Sequence, residues 1–396
     1  MKDKICVIGL GYVGLPTALI LAKKGYSVFG VDIDQQKIKS LQKNYTTIED
    51  ASSLLENKLV RKNFQAQHNI PSVNSYIVAV PTPLKSNNHA NLQYLTDAIK
   101  SICTILKKGN LIIVESTIPP GTCRNIIGPL IEKHTKLKIN EDFFLSHCPE
   151  RAIPTNTVYE IIHNDRIIGG VNIFASKKTE KIYKSFVKGK IHITDDITAE
   201  MTKLVENSYR DVNIAFANEI DTICSKLKIS TKDVIRLANK HPRVNILEPG
   251  IGVGGHCIPI DPLFISQIAP QKSKIIKLAR KINDNKPSSI AKQILFELKD
   301  IKNPSVVVGG ISYKKNVNDI RESPALKIIE YLKAKNIKVT IHDPIVYPKN
   351  KSNLLKLCEK KDLLVILVSH DKIINELKTN EKQIRSILNS NKVLMY

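Results

Sequence analysis

Short β-branched runs alternate with helical patterns through the first half of the chain. Strands are expected at Lys4 to Gly9, Ser27 to Asp32, Ser75 to Val80, Leu111 to Glu115 and Phe143 to Ser146, and helices at Thr17 to Lys24, Leu92 to Leu106 and Thr122 to His134. That alternation predicts a mostly parallel sheet with helices on both faces. At Thr198 the pattern changes. From there to Leu227 no Pro or Gly interrupts the chain, and Met201, Leu204, Val205, Tyr209, Val212, Phe216, Ile220, Ile223 and Leu227 recur at helical spacing. A helix over that stretch spans about 45 Å, which suits a connector or a subunit interface.

A second alternating block starts near Asn303. It predicts strands at Ser305 to Ile311, Lys338 to His342 and Leu363 to Val368, helices at Pro324 to Lys335 and around Asn353 to Lys361, and a last helix before Lys392 to Tyr396. The expected fold class is α/β: two Rossmann-like doubly wound domains joined by a helical middle domain with a long central helix. The expected boundaries are 1–195, 196–295 and 296–396. There is no repeat beyond this architectural echo.

At 396 residues the chain is long enough for two or three cores, and its 42% hydrophobic and 24% charged content reads as globular. No apolar run is long enough for a bilayer, and Met1 to Asp3 leads straight into a strand pattern. Neither a membrane span nor a signal peptide is therefore expected, and the cytoplasm is the expected compartment. The net charge of +23 comes mainly from fifty lysines, scattered along the chain, against ten arginines. They read as a solvated basic surface that favours anionic ligands. No basic run is interleaved with aromatics and Trp is absent, so nucleic acid is not an expected partner. The seven cysteines are an odd number without zinc-site spacing; they read as reduced thiols, at most one of them doing chemistry, with no metal expected.

Gly9-Leu10-Gly11-Tyr12-Val13-Gly14 follows the first strand and precedes a helical pattern. In that context two glycines let the backbone approach a pyrophosphate, the third lets helix and strand pack, and the helix N-terminus faces the anion. The second strand ends in Asp32, where a carboxylate can accept hydrogen bonds from a ribose 2′-OH and repel a 2′-phosphate, so the expected cofactor is NAD and not NADP. Asp34 competes for the role, and the start of a turn is the plainer explanation of Asp32.

A second motif carries the chemistry. Pro249 to Pro262 contains Gly250, Gly252, Gly254 and Gly255, then His256 and Cys257, with Asp261 four positions on. Glycines leave the backbone open, so the thiol that follows them can meet a substrate closely. A lone cysteine is usually a core residue, but packing does not explain one that ends such a loop. On the long helix Lys203, Asn207 and Arg210 share a face. A solvated polar stripe is the ordinary reading; beside an oxidoreductase site, Lys and Asn suit an oxygen that gains negative charge.

Together with Val80-Pro81-Thr82-Pro83, Glu115-Ser116-Thr117, Pro149-Glu150 and Tyr313-Lys314 through Arg321-Glu322-Ser323-Pro324, these motifs resemble the UDP-glucose/GDP-mannose dehydrogenase family over nearly the whole chain. The resemblance implies that Cys257 forms a thiohemiacetal and then a thioester, assisted by Lys203, Asn207 and Asp261. It implies that Glu150 helps the hydrolytic water, that Thr117 positions water near the cofactor, and that Asp32, Thr82, Thr117 and Arg321 touch NAD. The third domain would bind the uridine diphosphate. Pro149-Glu150-Arg151-Ala152 and His241-Pro242-Arg243-Val244-Asn245 resemble the branch acting on UDP-N-acetylmannosamine, with Thr155 after Pro154 a departure from it. Arg151, Lys203, Asn207, Arg210, His241, Arg243 and Gly254 are the candidate substrate residues, although His241 and Arg243 also suit a helix C-terminal end. A homodimer with a shared active site is expected, Arg243 being the residue that crosses to the neighbour. The alternatives are a UDP-glucose or UDP-N-acetylglucosamine 6-dehydrogenase and, from another class, a silent nucleotide-sugar or NAD-binding module. Intact Cys257, Lys203, Asn207, Glu150 and Asp261 argue against silence.

Overall fold

The computed structural model describes residues 3–152, 156–349 and 352–396; Pro154 and Thr155 lie outside them. The chain divides into two compact units, 1–206 with 267–269, and 207–266 with 270–396.

The first unit holds an eight-stranded sheet: β1 (Lys4–Ile8), β2 (Ser27–Val31), β3 (Phe64–Gln67), β4 (Ser75–Val78), β5 (Leu111–Val114), β6 (Phe144–His147), β7 (Arg166–Gly170) and β8 (Ile191–Asp195). Their spatial order is β3-β2-β1-β4-β5-β6-β7-β8. The first six strands follow the doubly wound order, whose switch point lies between β1 and β4. Alternate side chains feed two cores: Ile5 and Val7 pack with Leu15, Leu19 and Tyr183, while Cys6 and Ile8 pack with Leu95, Ile99 and Ile127. Strands buried on both faces are why β1, β4 and β5 read as continuous apolar runs. β7 runs antiparallel to β6, with Ser146 opposite Gly170 and His147 opposite Gly169.

The second unit carries an all-parallel sheet of β9 (Ser305–Gly309), β10 (Lys338–His342), β11 (Leu363–Ile366) and β12 (Lys392–Met395), in the order β10-β9-β11-β12. Here too the core is double: Val306 and Val308 face one cluster and Val307 the other. The long helix runs from Asp196 to Leu227, and the two units part within it, between Glu206 and Asn207. A second long helix, Lys274–Glu297, has Pro287 inside it. Among the described residues no helix is long and apolar enough to cross a membrane.

Candidate active site

In the first unit the glycine loop leaves β1 at the switch point. Gly14 is required by packing: a Cβ there would stand 1.9 Å from the Gly9 carbonyl oxygen. Gly11 faces open space, with no atom within 4 Å of a Cβ position. Tyr12 is exposed and Val13 half-buried. Asp32, just past β2, accepts from the Leu10 N–H at 2.9 Å, the Asp34 N–H at 2.9 Å and the Lys37 Nζ at 2.7 Å. Burial alone would raise its carboxyl; the bonds from Lys37, Asp34 and Leu10 outweigh it and hold the group below the usual carboxylate range. Asp34 accepts from Gln36 and Lys37 N–H groups as the cap of the next helix. Thr82, after β4, donates its hydroxyl to the Thr117 carbonyl at 2.6 Å, tying together two loops at the C-terminal sheet edge. An open backbone at Gly11, a helix starting at Gly14 and a fixed carboxylate at Asp32 fit a dinucleotide.

Glu150 lies just beyond β6 on the same edge. Its Oε1 accepts from the Arg151 and Ala152 N–H groups at 2.7 and 2.8 Å, and its Oε2 from Arg166 at 2.7 Å. Arg151 pairs with Glu206 at 2.7 Å and donates to the Asp165 carbonyl. Lys203 is half-buried on the long helix. Near it is His147, fully buried, with no hydrogen-bond partner at either ring nitrogen. Burial pushes this imidazole down to about 3, and the Lys203 charge adds to the effect.

In the second unit Cys257 is exposed. Its carbonyl accepts from the N–H groups of Ile260 and Asp261, at 3.1 and 2.9 Å, so the thiol sits on a tight turn that runs into the helix Asp261–Ile268. Buried Asp261 accepts from the Asn207 amide at 2.6 Å, which anchors that turn to the long helix. Gly254 has no room for a side chain, since a Cβ would lie 2.7 Å from the Glu322 carbonyl oxygen and 2.8 Å from Pro324. Further along the helix Asn213 bonds the Asn245 carbonyl and the Leu247 N–H, and Asn218 accepts from the Gly250 N–H at 3.0 Å. The segment entering the glycine loop is thus held by asparagines that sequence reading missed, because an amide on a helix looks the same whether or not it faces a loop. Arg321 is exposed and paired with Asp319 at 2.6 Å, near His256. Arg210, His241 and Arg243 are exposed. His241 accepts from the Arg243 N–H at 3.3 Å, beyond the helix Thr231–Ala238. Among the described residues no group of three His, Cys, Asp or Glu side chains could hold a metal.

Three family profiles match in succession: the NAD binding domain at residues 3–187, the central domain at 197–285 and the UDP binding domain at 307–394 of the UDP-glucose/GDP-mannose dehydrogenase family. A UDP-N-acetyl-D-mannosamine dehydrogenase of Campylobacter jejuni is 42% identical, covering 94% of this chain and 96% of its own. The solved structure of a UDP-D-ManNAc dehydrogenase from Pyrococcus horikoshii is similar at a TM-score of 0.92 with 37% identity, covering 99% of this chain and 94% of that one. That of a Staphylococcus aureus UDP-N-acetyl-mannosamine dehydrogenase gives 0.88 and 40%, covering 99% and 98%. The chain belongs to the UDP-glucose/GDP-mannose dehydrogenase family, whose cofactor is NAD.

Proposed function

We propose that this protein oxidises UDP-N-acetyl-D-mannosamine at C6, through the aldehyde, to UDP-N-acetyl-D-mannosaminuronate. The observation that carries the reading is an exposed thiol on a glycine-opened turn, anchored through Asp261 to Asn207, in a chain whose near-full-length relatives are named for that sugar. When bound, NAD accepts a hydride in each of the two oxidations. Gly9, Gly11, Tyr12, Val13, Gly14, Asp32, Thr82, Thr117 and Arg321 are the residues assigned to hold it.

A bare aldehyde carbon has no alkoxide to expel a hydride. Addition of the Cys257 sulfur supplies one as a thiohemiacetal. Lys203 and Asn207 donate to the developing oxyanion, and Asp261 fixes the Asn207 amide that does so. Oxidation leaves a thioester on Cys257; Thr117 positions water, and Glu150 takes its proton as the C–S bond breaks. Arg151, Arg210, His241, Arg243 and Gly254 are assigned to the substrate. The division at 1–195, 196–295 and 296–396 is retained, the last part holding the uridine diphosphate.

A cytoplasmic homodimer with shared sites is part of the proposal. The long helix exposes Met201, Val205, Tyr209, Phe216, Ile223 and Leu227, an apolar stripe that a second copy can cover. The test of substrate is turnover of a panel of UDP-sugars with NAD, followed by reduced-cofactor absorbance. Higher kcat/KM on UDP-glucose or UDP-N-acetylglucosamine than on UDP-N-acetyl-D-mannosamine overturns the assignment.

A further inference from the structure

β7 is the strand that reverses direction, and the reversal has a chemical consequence. Ser146 pairs with Gly170 and His147 with Gly169. The start of β7 therefore runs beside the chain that leaves β6: Arg166 is the first residue of β7, and Glu150 follows the end of β6. The guanidinium is 3% exposed. It donates to Glu150 Oε2 at 2.7 Å and to the Pro149 carbonyl at 3.2 Å, and it lies 5.2 Å from the centre of the Tyr183 ring. With Oε1 occupied by two backbone N–H groups, both carboxylate oxygens of Glu150 are fixed in direction.

We propose that Arg166 is the positioning residue of Glu150: it orients the carboxylate and supplies the countercharge that lets it serve, while buried, as the acceptor of the hydrolytic water's proton. This rests on the role of Glu150 given above. In that step the water oxygen bonds to the acyl carbon, the C–S bond breaks, Cys257 leaves as thiolate and the water proton passes to Glu150.

The groups around the pair support the assignment. Glu115, after β5, is buried and bonded to the Tyr183 hydroxyl at 2.5 Å; burial pushes it up to about 7 against the pull of Arg166. Burial also raises Tyr183 and Cys148. Near neutral pH Tyr183 and Cys148 are therefore uncharged and Glu115 only partly ionised, while Glu150 is the carboxylate hydrogen-bonded to the guanidinium. The Arg151 guanidinium is paired with Glu206.

The test compares Arg166→Met, Arg166→Gln, Arg166→Lys, Glu150→Gln and the Arg166→Met/Glu150→Gln double variant. Each is mixed with NAD and UDP-N-acetyl-D-mannosamine, acid-quenched, and weighed intact for acyl groups on Cys257. Melting temperature and NAD affinity serve as folding controls. Loss of the base should slow acyl release about a hundredfold or more. Arg166→Met should accumulate acyl-enzyme as Glu150→Gln does. Arg166→Lys should restore part of the rate, and the double variant should be no slower than Glu150→Gln. Normal acyl release in a folded Arg166→Met, or in a folded Arg166→Gln should Arg166→Met not fold, overturns the proposal. So does a double variant that is slower still. If Glu150→Gln itself releases acid normally while Arg166→Met does not, the role of Glu150 is what fails, and Arg166 does not act through it.

Discussion

Asp343 bonds the Ile311 N–H at 2.7 Å in the second unit as Asp32 bonds the Leu10 N–H at 2.9 Å in the first. Each carboxylate stands just past a strand, β10 or β2, and reaches to the loop leaving its parallel neighbour, β9 or β1. The backbone repeats the arrangement: Gly310 donates to His342 and Gly9 to Val31, at 2.9 and 2.8 Å. What differs is the rest of each loop. Where the first has Gly11 the second has Ser312, bonded to His370, which also meets Asp343 at 3.2 Å. One brace thus serves an open glycine loop in one domain and a filled polar cluster in the other.

The cluster makes a stability prediction. Burial alone would raise the Asp343 carboxyl, but bonds from His370, Ile311 and Val346 outweigh it and hold the group at about 2. A folded value depressed below the unfolded one contributes stability that is present above about pH 4 and lost as pH falls through about 2. Asp343→Asn should therefore cost about 2 kcal/mol at neutral pH, read from urea midpoints, and the difference should shrink between about pH 4 and 2. A difference that stays constant over that range would assign the cost to the amide's geometry and not to charge.

Asp32 makes a second prediction, about cofactor choice. Its Lys37 partner stands 2.7 Å away, half-exposed. Asp32→Asn removes the charge that repels a 2′-phosphate and releases an ammonium that can bind one. The ratio of kcat/KM for NADP to that for NAD should rise about tenfold or more, while efficiency with NAD falls as the brace on Leu10 weakens. An unchanged ratio would remove Asp32 from the ribose site.

Much of this was legible in the sequence. β1, β4, β5, β9 and β11 read as β-branched runs because both their faces are buried, and the Asp196–Leu227 helix because its apolar spacing is unbroken. β3 and β8 went unread: they lie at the sheet's two edges, and Phe64–Gln67 and Ile191–Asp195 mix polar with apolar residues. Arg166 and two glycines disguised β7. The helix Lys274–Glu297 also went unread; it contains Pro287, and burial of Ile290, Ala291 and Ile294 holds the turns that follow it. Glycine loops and the cysteine announce themselves by local spacing. Arg166 does not, since its bond to Glu150 exists only once two strands have taken an antiparallel register.

A third prediction is stoichiometric. Because the thioester commits the aldehyde to a second oxidation, close to two NADH should form per sugar consumed, with little free aldehyde. Cys257→Ala should bind NAD and UDP-sugar yet form no acid, because the substitution leaves the Asn207 to Asp261 bond and the glycine loop after β1 in place. A ratio near one, or uronate made at an ordinary rate by the variant, contradicts the covalent route.

The last prediction concerns the shared site. A two-fold pairing through the exposed stripe of the long helix places the same residues of two copies together. Arg243 is exposed on the loop beyond the helix Thr231–Ala238, and in the proposed dimer it is the residue assigned to the neighbour's substrate. Its fork of donors suits sugar hydroxyls or a diphosphate better than an ammonium does. Cys257→Ala and Arg243→Ala should each be inactive alone. After random subunit exchange about half of the dimers are mixed, and each mixed dimer has one site with the cysteine of one chain and the arginine of the other. With independent sites, activity should return to roughly a quarter of wild type. If exchange is demonstrated, for example by native mass spectrometry of tagged chains, and no activity returns, Arg243 serves its own subunit or the helix end alone.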